Sequence, residues 1–309
     1  MTDPAIIAEN LRKAFGDVVG VENISLSVPR GSVLGLLGAN GAGKTTMVRM
    51  LTTVLRPDSG RGIVNGFDVH AEPQAVRRSI GLAGQYAAVD ENLTGRENLV
   101  LVGRLNHMSK AASRSRAGGL LAQFHLTDAG DRPVRTYSGG MRRRLDLGAA
   151  LVSHPPVLFL DEPTTGLDPA SRFDLWDVIE TLVSDGTTVL LTTQYLEEAD
   201  RLADNIVVID KGLIAAEGTA KQLKARLGDT VIEFEFHDPG EAARSAALVG
   251  GTVAAGTIVR LVMAAGPSTL RDALNQLSAA DIAPTHVALR EPTLDDVFLS
   301  LTGTTGEHS

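Results

Sequence analysis

The chain has 309 residues, of which 43% are hydrophobic and 21% charged, with a formal net charge of −8 and no cysteine. This length and composition predict a globular protein with an ample core and two domains. The acidic balance argues against a nucleic-acid partner, which normally meets a basic surface. The lack of cysteine excludes disulfides, thiolate metal sites and cysteine nucleophiles. We expect neither a secretory signal nor a segment that crosses a membrane.

Residues 5–227 alternate short apolar runs with helical stretches, as α/β proteins with a mostly parallel sheet do. Residues 31–38, 157–160, 188–192 and 205–210 have the composition of buried strands. Residues 92–126 contain no such run and are helical in character. We therefore predict one domain over residues 5–227, with a helical subdomain inserted at about residues 87–150.

A glycine-rich motif follows the first of these buried strands and opens a helical stretch. It satisfies the P-loop pattern in full, and its residues are Gly38, Ala39, Asn40, Gly41, Ala42, Gly43, Lys44 and Thr45, followed by Thr46. In such a loop, successive backbone N–H groups and the positive end of the helix surround phosphate oxygens. Lys44 is expected to reach the terminal phosphates, and the Thr45 hydroxyl is expected to coordinate Mg²⁺.

A second motif, Ser138-Gly139-Gly140, precedes another helical stretch. Ser138 is a good N-cap, so the free N–H groups at the start of this helix would face an anion. The basic run Arg142–Arg144 comes next. Its simplest interpretation is a solvated helix face, and a contact with phosphate or with a partner chain is the alternative.

Two carboxylates, Asp161 and Glu162, emerge at the end of the apolar run 157–160. The order of motifs along the chain predicts that Asp161 holds Mg²⁺, directly or through water. Glu162 is then the group expected to polarise the attacking water.

After residue 228 the pattern changes to that of a small α+β module. We predict strands at 231–236 and 285–290, a strand pair within 251–263 that turns at Gly256, and a helix at 268–279. A last helix should begin with a capping box between Thr293 and Asp296. This predicts a second domain over residues 228–303, with a tail at 304–309.

The motifs together resemble the ATP-binding subunits of ABC transporters over nearly all of residues 5–227. The resemblance implies a P-loop NTPase fold of the ABC nucleotide-binding type, with N-terminal antiparallel strands, and the cofactors ATP and Mg²⁺. Other positions that match the family's motifs are Phe15 (stacking on adenine), Gln85 (Q-loop, contact to Mg²⁺), Asp168 (D-loop, at the catalytic site) and Ser138 to Gly140 (signature). In that family the signature binds the γ-phosphate of ATP held by a second subunit, which implies a dimer, most simply a homodimer.

One position departs from the family's common pattern. Gln194 stands where most relatives carry a histidine that contacts the γ-phosphate. Glutamine can donate a hydrogen bond to phosphate but cannot become a cation. With Lys44 and Glu162 intact, we predict slow but real hydrolysis. The alternative is a nucleotide-gated binding switch with negligible hydrolysis.

A finer resemblance is to the daunorubicin/doxorubicin-resistance type of exporter ATPase. It rests on residues 137–145, on residues 191–200, which include Gln194, and on residues 291–303. This resemblance implies an ATPase that powers the efflux of a hydrophobic drug or lipid through a separate membrane permease, at the cytoplasmic face of the cell membrane. A soluble ABC ATPase unrelated to transport remains the other alternative.

Overall fold

The computed structural model of the protein describes residues 3–84, 89–226, 230–263 and 267–302. The chain forms two compact units, residues 1–220 and residues 221–309. The predicted domain boundary at residue 227 lies outside the described residues, so it stays a prediction. Within the described ranges, no helix combines the length and the apolar character needed to cross a bilayer.

The first unit contains ten strands among its described residues. They are β1 (Ile6–Phe15), β2 (Val18–Val28), β3 (Val33–Leu37), β4 (Ser59–Val64), β5 (Phe67–Asp68), β6 (Ile80–Ala83), β7 (Val157–Asp161), β8 (Thr188–Thr193), β9 (Asn205–Asp210) and β10 (Leu213–Gly218). The order β2-β1-β4-β5 forms an antiparallel sheet. The order β10-β9-β3-β8-β7-β6 forms a second sheet that is parallel except at β10. The predicted fold class, a mostly parallel sheet with N-terminal antiparallel strands, is confirmed.

Helices cover and extend this second sheet. They are α1 (Lys44–Leu51), α2 (Pro73–Ser79), α3 (Gly95–Leu105), α4 (Lys110–Gln123), α5 (Gly139–Ala150), α6 (Pro169–Ser184) and α7 (Leu196–Leu202). A further helix, α8 (Ala220–Ala225), begins at the last residue of the first unit and otherwise belongs to the second. Strands β3, β7 and β8 are buried along their whole length, as their continuous apolar runs require in a parallel sheet covered on both faces. Because parallel strands share a direction, their carboxyl ends meet at one edge of the sheet.

The predicted helical insertion is present as α3 and α4. Helix α3 begins at a capping box in which Thr94 and Glu97 bond reciprocally, and α4 begins at the N-cap Ser109. Their apolar faces pack with α5 in one core that includes Leu99, Leu120 and Phe124. Helix α5 therefore connects the helical insertion to the sheet.

The second unit is a small α+β module, as predicted. It contains β11 (Val231–Glu235), β12 (Thr252–Ala255), β13 (Ile258–Val262), β14 (His286–Arg290), α9 (Pro239–Val249), α10 (Pro267–Ala279) and α11 (Leu294–Thr302). The strands form an antiparallel sheet in the order β12-β13-β11-β14. The capping box between Thr293 and Asp296 is confirmed, since each residue's backbone N–H donates to the other's side chain. Helix α9 was not predicted.

Candidate nucleotide-binding site

An open pocket of 280 Å³ lies where the P-loop joins β3 to α1. Its lining is formed by Gly20, Asn40, Gly41, Gly43, Lys44, Thr45, Thr46 and Glu162. The P-loop thus supplies most of the wall, the β2 residue Gly20 supplies one side, and the residue after β7 supplies the other. The structure brings together the predicted P-loop and Glu162, which are separated by more than a hundred positions in the sequence.

The backbone at Gly43 explains why the loop requires glycine there. Gly43 has a φ of 114°, and a Cβ at this position would collide with the carbonyl oxygen of Gly20. A side chain is therefore excluded both by conformation and by space. The result is a tight turn that delivers the chain into α1, whose first N–H groups and dipole are directed at the loop.

Lys44 is the first residue of α1, and only 4% of its surface is exposed. Its ammonium donates to the carbonyl oxygens of Gly38 (2.8 Å) and Ala39 (3.1 Å) and lies 3.6 Å from Oε1 of Glu162. Burial lowers the pKa of Lys44, and the neighbouring carboxylates of Glu162 and Asp161 oppose that shift. The amino group of Lys44 therefore lies within the phosphate-binding loop, beside the Glu162 carboxylate.

Hydroxyl groups from two motifs meet on Asp161. The Thr45 hydroxyl donates to Oδ1 of Asp161 at 3.1 Å, and the Thr192 hydroxyl donates to the same oxygen at 2.5 Å. Thr192 also accepts a hydrogen bond from the backbone N–H of Glu162 at 3.0 Å. Thr192 was not singled out from the sequence, because its partners Asp161 and Glu162 lie at the end of β7, far away along the chain.

Glu162 directly follows β7 and has a φ of 49°, the left-handed conformation that side chains other than glycine rarely adopt. Its backbone N–H donates to both the carbonyl and the hydroxyl of Thr192. Its side chain accepts a hydrogen bond from the Thr165 hydroxyl at 3.3 Å. This unusual backbone turns a buried carboxylate towards the pocket and the Lys44 ammonium.

Gln194 follows β8 at the same edge of the sheet. The parallel register pairs Thr193 with Leu37 and Thr192 with Asp161. Gln194, half-buried, therefore stands one step beyond a strand that lies between the P-loop strand and the Asp161 strand. Gln194 is not among the residues that line the pocket as it stands.

Phe15 ends β1 and is 51% exposed. Its ring covers Gly20, where an added Cβ would lie 3.0 Å from the ring, and Gly20 lines the pocket. Phe15 therefore presents a solvent-exposed aromatic face beside the phosphate loop. The other residue predicted to complete the nucleotide site, Gln85, lies outside the described residues.

The signature segment, residues 138–140, begins α5. Ser138 is the N-cap and accepts a hydrogen bond from the Met141 N–H at 3.2 Å, as predicted from its residue type. Ser138 and Gly139 are exposed and do not line the pocket of their own chain. Asp168 does not line it either. Its carboxylate caps α6 by accepting from the backbone N–H and hydroxyl of Ser171, and the N–H bond lowers the pKa of Asp168.

The basic run after the signature segment does not behave as a solvated face throughout. Arg142 is partly exposed and pairs with Glu91, but Arg143 is only 8% exposed. The guanidinium of Arg143 donates to the carbonyl oxygens of Asp161, Glu162 and Pro163. The sequence did contain a signal, because Gly140, Arg143 and Leu147 share the helical spacing of a buried face.

The donor set at the pocket fits a magnesium ion. Thr45 and Asp161 offer hard oxygen atoms at the mouth of the phosphate loop, which Mg²⁺ prefers over nitrogen or sulfur. No group of three or more His, Cys, Asp or Glu side chains poised for a metal occurs among the described residues. Mg²⁺ sites with one or two protein ligands typically leave the rest of the coordination to substrate phosphates and water.

Comparisons with known proteins agree with this geometry. The family model for the ABC transporter matches residues 21–165. The chain is 52% identical over 307 residues to the daunorubicin resistance ATP-binding protein DrrA3 of Streptomyces coeruleorubidus. The alignment covers 98% of this chain and 97% of the relative. It is 49% identical to the doxorubicin resistance ATP-binding protein DrrA of Mycobacterium tuberculosis, over 97% of this chain and 94% of that one.

A solved structure described as the ATP-binding subunit of an ABC transporter covers 72% of this chain and 93% of its own length, with a TM-score of 0.65 at 27% identity. The P-loop pocket, the paired carboxylates and the near full-length identity all point to the same group. The chain therefore belongs to the ATP-binding subunits of ABC transporters, in the daunorubicin/doxorubicin-resistance type, and is an ATPase.

Proposed function

We propose that this chain binds ATP with Mg²⁺ and hydrolyses it to drive the efflux of a hydrophobic drug or lipid through a separate membrane permease. The observation that carries the proposal is the pocket lined by Lys44, Thr45 and Glu162, in which the Thr45 hydroxyl donates to Asp161. Relatives named for daunorubicin and doxorubicin resistance, aligned over almost the whole chain, support the class of cargo.

The nucleotide is proposed to lie across the P-loop with its base against Phe15. Backbone N–H groups from Gly38 to Thr46 then surround the phosphates, and the Lys44 ammonium approaches the terminal ones. Thr45 and Asp161 would hold Mg²⁺, and Gln85 is proposed as a further contact on the strength of the family's motif. When bound, the ion neutralises charge on the β- and γ-phosphates.

Glu162 is the group proposed to orient and polarise the attacking water. Its carboxylate is buried at the pocket wall, where it can accept a hydrogen bond from a water placed between it and the phosphate. Gln194 is proposed to donate a hydrogen bond to the γ-phosphate from the end of β8. Because an amide stays neutral, this contact stabilises less developing charge than a cationic histidine, and we expect slow turnover.

The exposed signature segment is proposed to complete the site of a second copy of the chain. Ser138 and the first N–H groups of α5 would then contact the γ-phosphate held by that copy, with Asp168 near the same interface. The dimer would act from the cytoplasmic face of the membrane, bound to the permease.

ATPase measurements with and without the co-expressed permease test this function. We expect the wild type to hydrolyse ATP and the Glu162→Gln variant to have a kcat lower by about 100-fold or more. Drug efflux from cells should require both the ATPase and the permease. A Glu162→Gln variant as fast as the wild type would contradict the assignment of the base. Nucleotide binding without turnover in either condition would favour the gated switch, and turnover without any co-purifying permease would favour a soluble ATPase.

A further inference from the structure

Arg143 donates several side-chain hydrogen bonds around the pocket, and the proposed mechanism gives it no role. It lies on the second turn of α5 and its guanidinium spreads over four backbone carbonyls. Its nitrogen atoms donate to Pro163 (2.6 Å), Glu162 (3.1 Å) and Asp161 (3.2 Å), and also to Gly84. The first three acceptors are consecutive and form what we call the carboxylate turn, residues 161–163.

A buried guanidinium is unfavourable unless its donors are satisfied. Burial lowers the pKa of Arg143, and the Asp146 carboxylate, 3.4 Å away on the next turn of α5, opposes that shift. The planar fork of arginine can reach several carbonyls at once, whereas a lysine ammonium is a single point of donation. The site is therefore built for arginine in particular.

The carboxylate turn requires such support because Glu162 adopts a left-handed backbone. A conformation of this kind persists only where the surroundings over-determine it. Arg143 fixes the carbonyl of Glu162 and those on either side of it, while Thr192 fixes its N–H. The direction of the Glu162 carboxylate thus depends on a residue of the helix that the signature segment begins.

We propose that Arg143 is a positioning residue that holds the carboxylate turn of its own chain in the geometry for hydrolysis. The inference rests on the proposed function, in which Glu162 polarises water and the signature segment meets the partner's ATP. In the dimer, the signature segment at the start of α5 then faces the ATP of the partner chain. One turn later, Arg143 positions Glu162, the base that acts on the ATP of its own chain. Arg143 is the physical link between the two ATP sites.

Arg143→Lys and Arg143→Gln test the positioning role, with Arg144→Gln as the matched control. Arg144 lies on the same helix and is largely buried, but it contacts the carbonyl of Phe124 and the carboxylate of Asp174, away from the pocket. We expect kcat to fall about 10- to 100-fold in both Arg143 variants, because small displacements of a reacting group have effects of this size. ATP affinity should stay within about twofold, because the P-loop is untouched.

Thermal unfolding measured in parallel separates this role from simple loss of structure. If Arg143→Gln does not fold, Arg143→Lys carries the test, since it keeps the charge and one donor. Equal loss of kcat and ATP affinity, or a kcat unchanged in the lysine variant, would overturn the proposal. So would an Arg144→Gln control that loses as much kcat as the Arg143 variants.

Mixed dimers decide which ATP site Arg143 serves. In the first, one protomer carries Glu162→Gln and its partner carries Arg143→Gln. In the second, one protomer carries both changes and its partner is wild type. The reference is a dimer of one wild-type protomer and one Glu162→Gln protomer. Relative to its ATPase rate, the first mixed dimer should be about tenfold slower and the second unchanged. Only in the first does the protomer that keeps Glu162 lack Arg143.

The reverse pattern would mean that Arg143 acts through the signature segment on the partner's ATP, and equal rates in both dimers would also overturn the proposal. Failure of the proposed function looks different. It would appear as a Glu162→Gln homodimer that hydrolyses ATP as fast as the wild type, whatever the Arg143 variants do.

Discussion

At the scale of single residues, Thr192 joins the two carboxylate-bearing residues of the pocket through one hydroxyl. We expect Thr192→Val to keep the strand, since valine has the same branched shape, but to leave the Glu162 N–H with one bond fewer and to release Asp161. The variant should lose about 1–3 kcal/mol of stability and about 10- to 100-fold in kcat. Chemical denaturation and steady-state ATPase assays measure the two effects.

Thr188→Val provides the control on the same strand. Thr188 is also buried, and its hydroxyl accepts from the Gly31 N–H at 2.9 Å, at the other end of β8 from the pocket. We expect a similar loss of stability with kcat nearly unchanged. A Thr188→Val variant that loses as much activity as Thr192→Val would show that the effect is general to the strand.

Glu198 lies wholly buried on α7, where it accepts a hydrogen bond from the Trp176 indole at 3.0 Å. Burial raises the pKa of Glu198, although Thr193, Trp176, Thr164 and Arg143 act in the opposite direction. A raised pKa in the folded state means that this group favours folding most below its unfolded pKa of about 4.3. Its contribution then declines as pH rises towards the folded pKa.

Glu198→Gln removes this titration and keeps an oxygen for the Trp176 indole. We therefore expect the variant to gain stability relative to the wild type as pH increases from about 4.3 upward, with the difference smallest at acid pH. Denaturant midpoints measured for both proteins across this pH series provide the comparison. A difference that is constant with pH, or that shrinks as pH rises, would contradict a raised pKa.

The pocket residues differ in how far the sequence could predict them. Lys44, Thr45, Asp161 and Glu162 belong to contiguous motifs whose spacing is set by the local turn. Their neighbours Thr192 and Arg143 act only because β8 pairs with β7 and α5 packs beneath the carboxylate turn. Such roles depend on long-range pairing: the helical spacing around Arg143 indicates that it is buried, but not which carbonyls it contacts.

At the scale of elements, α5 and α6 meet at the second glycine of the signature segment. A Cβ on Gly140 would lie 2.6 Å from Oγ and 3.0 Å from Cβ of Ser171 on α6. We expect Gly140→Ala to force the helices apart and to destabilise the protein by about 1–3 kcal/mol. Thermal or chemical unfolding of the purified variant measures this effect.

Gly139→Ala is the matched control, because nothing lies within 4 Å of a Cβ at that position. This change should be neutral or slightly stabilising for the fold, since alanine favours helix. If the two variants unfold alike, close packing of α5 on α6 is not what requires the glycine.

Elements were predicted best where periodicity and end signals agreed. The apolar stripe and the Thr293 capping box of α11 are such a case. Helix α9 was missed because its buried face consists of the small residues Ala242, Ser245 and Ala246, which form no stripe of large apolar side chains. Its ends do contain signals, namely the Asp238 cap with Pro239 next to it and a left-handed Gly250 at the end.

At the scale of the whole molecule, the two units have separate hydrophobic cores. Phe159 is fully buried in the first unit, and Phe234 is fully buried in the second. We expect Phe234→Ala to lower the free energy of unfolding of the second unit by about 3–5 kcal/mol and to leave ATP binding unchanged. Phe159→Ala, the control, should lower the other transition by a similar amount.

Scanning calorimetry with and without MgATP resolves these transitions. Saturating nucleotide at about 100 times its Kd should add about 2.7 kcal/mol to the transition of the first unit only. A single transition that shifts as a whole with ligand and with either substitution would show that the two units unfold together.

The left-handed backbone at Glu162 has a consequence for how this position can vary. An L-residue held in this conformation is disfavoured by about 1–2 kcal/mol, and glycine is free of that strain. If variants were selected for thermal stability alone, glycine should therefore become frequent at position 162. If they were selected for ATP turnover, the glutamate should be retained. A homologue or laboratory variant with glycine at position 162 would then be expected to bind nucleotide without hydrolysing it.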